Sequence, residues 1–247
     1  MEEAMPSKLE RLQRASAKAR DRYWATVGTV DPDVVGQFIA SRFMPGVPRW
    51  PSGRERFRVV RREDKDTIVI ATDGLSDPDD GEYKNRNGHG VELFIEASDM
   101  ILDSLDSKDL DILSRAVCNV RPIGSTHLDI LTQVARNVAY AGQIFENWQK
   151  YQLLSMEVPA ARNEQDQDLV NSGGFHVVLL GMPGFDAAPE IGDMPLSPVK
   201  AMAVTVVHPD DFEEIRSDGS AGRARLARAL TQCGHGHVSD MRRTPVL

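Results

Sequence analysis

The stretch Thr67 to Ala97 reads TIVIATDGLSDPDDGEYKNRNGHGVELFIEA. Thr67 to Ala71 is a β-branched run, and His89 to Ala97 alternates Val91, Leu93 and Ile95 with Glu92, Phe94 and Glu96. Side chains of a strand point to opposite faces in turn, so both runs are expected as strands, with the acidic, glycine-rich segment held between them. A polar loop on a rigid frame is where binding residues concentrate.

That loop carries Asp73, Asp77, Asp79, Asp80 and Glu82 within ten positions. Calcium is the obvious cation for such oxygens, but the EF-hand loop requires Gly at its sixth position and Glu at its twelfth. Counted from Asp77, those positions hold Glu82 and Gly88, so the spacing fails and no metal is expected. Asp73 and Asp77 are suited to capping turns through their side chains, with Gly74 and Pro78 shaping the backbone.

Working backward, Arg54, Arg56 and Arg58 alternate with Phe57 and Val59, which predicts a strand with one buried and one wet face. The charged turn from Arg61 to Lys65 then makes a hairpin with Thr67 to Ala71. Further upstream, Pro6 to Trp24 predicts a helix with a thin stripe of Leu9, Leu12, Ala15, Ala19 and Tyr23 among Lys8, Arg11, Arg14, Lys18, Arg20 and Arg22. Such a basic helix can meet a membrane surface or an acidic partner. Its Ala-rich stripe favours a solvated terminal helix. Asp31 as N-cap with Pro32 at the first helical position predicts a second helix through Phe43, broken by MPGVPRWPSG.

Working forward, Ser98 to Asn119 predicts two short helical pieces. Thr126 with Asp129 opens a longer helix whose Leu131, Val134, Val138, Ala141, Phe145 and Trp148 form one apolar face for packing on the sheet. Tyr151 to Val158, Phe175 to Leu180 and Lys200 to Val207 are expected strands. The segment from Met182 to Pro198 has the prolines and glycines of a long ordered loop or a mobile flap. Asp210 to Arg216 and Gly222 to Thr231 are short helices, the second ended by Gly234. No repeat or linker divides the chain. The expectation is a single α+β domain with a mostly antiparallel or mixed sheet, in which residues 1–53 form a helical segment packed on residues 54–247.

Bulk properties exclude several classes. A net charge of -8 opposes a phosphate backbone, so nucleic acid is not an expected partner. No apolar run approaches the roughly 20 residues that span a bilayer, and the charged N-terminus has no apolar signal core. Cys118 and Cys233 stand alone, which fits a reducing compartment and a cytoplasmic location. CGHGH, from Cys233 to His237, lacks the second ligand cluster of a zinc site and is expected to be a glycine-shaped turn leading into a strand. No nucleophile elbow, phosphate-cradling loop or HExxH pair occurs, so no catalytic residue is assigned.

Three segments, in order, resemble the suppressor-of-fused family. These are TDGLSDPDDGEYKNRNGHGVELFIEA, then QVARNVAYAGQIF at the place of that family's long helix, then VKAMAVTVVHPDDFEEI followed by a Leu-bearing helix and VSDMRR. The resemblance spans most of Thr67 to Arg243. It implies a non-enzymatic binding domain without a cofactor. Animal members carry a second domain and clamp a peptide between the two. This chain stops at Leu247, so it looks like a free-standing first domain similar to bacterial members, which act as immunity proteins in polymorphic toxin systems. The expected partner is then a protein, basic in charge, either a toxin or a regulator. The candidate contact residues are Asp73, Ser76, Asp77, Asp79, Asp80, Glu82 and Glu92. Asp240, Arg242 and Arg243 form the closing signature, expected to contact the ligand or to fasten the last strand to the acidic loop, with an arginine reaching Asp73, Asp77 or Glu92. The alternative is a metal-dependent or small-molecule enzyme using loop 73–82 with His89 and Glu92.

Overall fold

The β-branched and alternating runs at the centre of the chain do pair. In a computed structural model that describes residues 5–36, 50, 51, 53, 55–81, 83, 85–98, 125–160 and 169–247, β2 (Arg56–Arg62) and β3 (Thr67–Thr72) form the expected antiparallel hairpin, Phe57 opposite Thr72 and Arg62 opposite Thr67. β4 (Val91–Ala97) lies antiparallel to β3, and β8 (Val199–Val207) runs parallel to β4. With β1 (Thr29–Gly36), β5 (Leu154–Pro159), β6 (Phe175–Leu180) and the short β7 (Glu190–Ile191), the sheet has the order β1-β2-β3-β4-β8-β6-β5, β7 pairing with β8. It is a mixed, mostly antiparallel sheet of eight strands among the described residues, and the architecture is α+β in a single domain.

The sheet is covered on both faces. On one, α2 (Ser125–Ala141) packs Ile130, Leu131, Val134 and Val138 against Leu93, Ile95, Met202 and Val204. On the other, α1 (Lys8–Val27) packs Ala19, Tyr23, Trp24 and Val27 against Val60, Val69, Phe94 and Ala203. Each large apolar side chain so buried contributes about 1.5–3 kcal/mol. This double cover buries every residue of β4, its two carboxylates included. α4 (Pro209–Arg216) and α5 (Gly219–Gln232) close a third cluster with Val177, Leu179 and Val207.

Three expectations need correction. The helix expected from Asp31 is instead β1 as far as Gly36, an edge strand on β2, and its remainder through Phe43 lies outside the described residues. Its Val-rich sequence suits a strand, and Pro32 falls inside the register shift between Val30 and Val34, where a missing N–H leaves no ladder bond unmade. α1 is not a solvated helix, because Ser16, Ala19, Arg20, Tyr23, Trp24 and Val27 are all buried. The helix expected through Trp148 breaks at Gly142, whose φ of 69° leaves the helical region, and resumes as α3 (Ile144–Tyr151). The helical pieces expected between Ser98 and Asn119 lie outside the described residues beyond Ser98.

The Met182 to Pro198 loop packs on the sheet in this structure. Met182 and Ile191 are buried, Phe185 stacks on Phe94 with ring centroids 4.4 Å apart, and β7 pairs with β8.

Candidate functional site

The acidic segment is built around one carboxylate. Glu92, on the α1-facing side of β4, is fully buried and accepts hydrogen bonds from the Thr72 hydroxyl, the Gly74 N–H, the Ser76 N–H and the Ser76 hydroxyl. TDGLSD therefore wraps the Glu92 side chain, with Gly74 at φ 119° providing the curve that turns two backbone N–H groups inward. A second glycine closes the same loop. At Gly88, φ is 42° and a Cβ would stand 2.4 Å from the Leu75 carbonyl oxygen.

Across this loop lies a single guanidinium. Arg20 from α1 is fully buried, with Nε 2.8 Å from Asp73, Nη1 2.7 Å from Asp77 and Nε 3.6 Å from Glu92. Arg56 and Arg58 of β2 approach the outer oxygens of Asp73 and Asp77 at 3.4–3.8 Å. α1 is also tied to the loop by Gln13 Nε2, which donates to the Pro78 carbonyl at 3.0 Å. One fully buried and two partly exposed arginines thus face three buried carboxylates, the compensation that such burial demands.

Burial works to raise the Asp73 carboxyl, but Arg20, Arg58 and Arg56 together hold it below the usual range. At Glu92 burial prevails and pushes the carboxyl up, against the pull of Arg20 and the Ser76 and Thr72 hydroxyls. The oxygens of Asp73, Asp77 and Glu92 are engaged by these donors, and no group of three His, Cys, Asp or Glu side chains among the described residues could hold a metal ion.

The candidates therefore divide. Asp73, Ser76, Asp77 and Glu92 are buried framework. Asp79 is half-buried and accepts the Tyr83 N–H at 2.9 Å, while Asp80 and Gly81 are exposed at the tip. Glu82 lies outside the described residues. His89 is buried against the Tyr83 ring, centroids 4.7 Å apart, with neither ring nitrogen hydrogen-bonded. Burial, with Arg86 nearby and Glu146 in opposition, pushes its imidazole down to about 4.

A second cluster sits at the far end of β4, about 13 Å away at four residues of strand rise. Glu96 accepts from Arg62 Nη1 at 2.9 and 3.1 Å and lies 2.7 Å from His237 Nε2. Its backbone oxygen accepts the Ser239 N–H at 2.7 Å, and Ala97 bridges Ser239. CGHGH is the expected glycine-shaped turn, with φ 83° at Gly234 and 57° at Gly236, and it delivers His237 to this cluster.

No family model matches the chain, and no curated protein matches its sequence. A solved structure titled the Sufu-Fu complex crystal structure is similar to it, with a TM-score of 0.50 over 95% of this chain and 91% of that chain at 13% identity. The fold is suppressor-of-fused-like.

Within that fold, the closing signature has a different anchor from the expected one. Arg243 pairs with Asp211 of α4 at 3.0 Å, both side chains buried, and the other Asp211 oxygen accepts the Val246 and Leu247 N–H groups. Asp240 caps its own turn by accepting the Arg242 N–H at 2.9 Å, and Arg242 is exposed. The signature does fasten the C-terminal segment, but to α4 and to Glu96 rather than to the acidic loop. The arginine that reaches Asp73, Asp77 and Glu92 comes from α1. Sequence reasoning placed Arg20 among the solvated charges of that helix. The available signal was its place on the stripe Ser16, Ala19, Tyr23, Trp24 and Val27.

Proposed function

We propose that this chain is a non-enzymatic protein-binding and inhibitory domain of the suppressor-of-fused type, working as an immunity-type protein against a basic protein partner such as a toxin. The observation that carries the proposal is the division of the acidic segment. The inner carboxylates are consumed by Arg20, Arg56 and Arg58, and that rigid frame holds the Asp79–Gly81 tip outward, with Asp80 exposed. A preorganised acidic tip costs little ordering on association, and the net charge of -8 steers a basic partner toward the molecule. The solved structure of similar fold is itself a complex, which fits a binding role.

The test is affinity capture from the organism that encodes the chain, with wild type beside Asp79→Lys/Asp80→Lys. The expected result is a captured basic protein that the double variant loses while it remains folded, and whose toxicity on co-expression the wild-type chain suppresses. Equal capture by both proteins would remove the acidic tip from the interface.

A further inference from the structure

A pocket of about 310 Å³ lies where β6 ends beside β8, lined by Tyr23, Phe94, Trp148, Phe185, Met182 and Met202 among others. That volume is at the lower end for small-molecule sites, which are mostly apolar with a few polar groups fixing orientation. Two polar groups here are placed for that work. Tyr23 is 8% exposed, and its hydroxyl makes no hydrogen bond with any described residue. Burial alone pushes that phenol up to about 12, so it is a neutral donor. Lys200 is the other, its ammonium 5.5 Å from the centroid of the Trp148 ring.

The charge of the lining selects the ligand. In a protein of net charge -8, no Asp or Glu is among the residues lining this pocket, and Lys200 is its charged group. Lys200 has an ion-pair partner in Glu190, which stands 3.5 Å from its ammonium and is half exposed. That distance is long for a charge-assisted bond, so donors of the ammonium remain for a second acceptor. Aromatic walls, one cation and one phenol donor match an aromatic ring carrying a carboxylate.

We propose that this pocket is a binding site for a small aromatic carboxylic acid, its ring between Trp148 and Phe185 and its carboxylate received by Lys200 and the Tyr23 hydroxyl. The proposal is independent of the protein partner, because the acidic tip is a separate surface.

The experiment is titration calorimetry of the full chain with 3-phenylpropionate, its amide and 3-phenylpropylamine, followed in parallel by tryptophan fluorescence. The carboxylate is expected to bind at least about tenfold more tightly than the amide, and the amine not at all. Lys200→Met is expected to weaken the carboxylate about tenfold and to remove its preference over the amide, and Tyr23→Phe to weaken it less. Ala201→Phe, which fills the pocket, is expected to abolish binding in a chain that still folds. Equal binding of all three probes would overturn the proposal. So would no carboxylate binding by the folded wild type. If Ala201→Phe blocked capture of the protein partner while no acid bound, the pocket would belong to that partner's side chain instead.

Discussion

Arg20 on the first helix and Asp77 in the acidic loop, 57 residues apart, meet at 2.7 Å with both side chains out of water. That contact turns a row of acidic residues into framework. It joins α1 to the segment between β3 and β4, and with Asp73 and Glu92 it leaves the guanidinium facing three carboxylates.

Removing the guanidinium strands those charges. Arg20→Met is expected to cost about 3–5 kcal/mol in urea unfolding, the penalty for an uncompensated buried charge, and Arg20→Lys less because it keeps the positive charge, though one ammonium cannot span the same acceptors. A loss near zero would mean that α1 packs through its apolar residues alone.

His89 gives the stability a pH dependence of definite sign. Its folded value of about 4 lies below the ordinary 6.5, so the unfolded chain binds the proton more readily. Stability is therefore full above pH 6.5 and falls as the pH drops from there toward 4, by up to about 3 kcal/mol. Asp73 acts at lower pH. Its depressed carboxyl contributes stability above its unfolded value, lost only as the pH falls through the folded value. His89→Phe, which keeps the ring against Tyr83, is expected to flatten the loss between pH 6.5 and 4 in thermal melts and leave the more acidic one.

Gly88 tests the closure of the loop. Gly88→Ala meets the Leu75 carbonyl oxygen at 2.4 Å from a backbone already at positive φ, and the expected cost is about 1–3 kcal/mol. Gly192, where an added Cβ meets nothing within 4 Å, is the control, and Gly192→Ala is expected to change stability by no more than about 0.5 kcal/mol.

The two arginines of the closing signature separate in the same assay. Arg243→Met breaks a pair with Asp211 in which both side chains are buried, with an expected loss of about 3–5 kcal/mol. Arg242→Ala removes an exposed side chain and is expected to stay within about 0.5 kcal/mol.

What the sequence made legible was the local pattern. β2 and β4 follow from period-two runs, β3 from its β-branched run, β6 and β8 from runs rich in Val, Leu and Met, and α2 from its spacing of three and four. The resemblance of GLSD, the Glu92 strand and VSDMRR to one family has a physical basis in the contacts these segments make. GLSD wraps Glu92, and the closing segment docks on Glu96 of the same strand. Long-range charge partners were not legible. Arg20 and the arginines around it have the same composition and differ only in which side of the helix meets the sheet. Asp31-Pro32 carries a sound helix-start signal that loses to pairing with β2, because an edge strand tolerates proline at a bulge.

The claim that Asp77 serves Arg20 is tested most directly by a double-mutant cycle in urea unfolding with Arg20→Met, Asp77→Asn and both together. The account predicts that the double variant loses less than the sum of the two single losses, with a coupling of about 2 kcal/mol. Additive losses would contradict it, and would return Asp77 to the surface as a residue acting elsewhere.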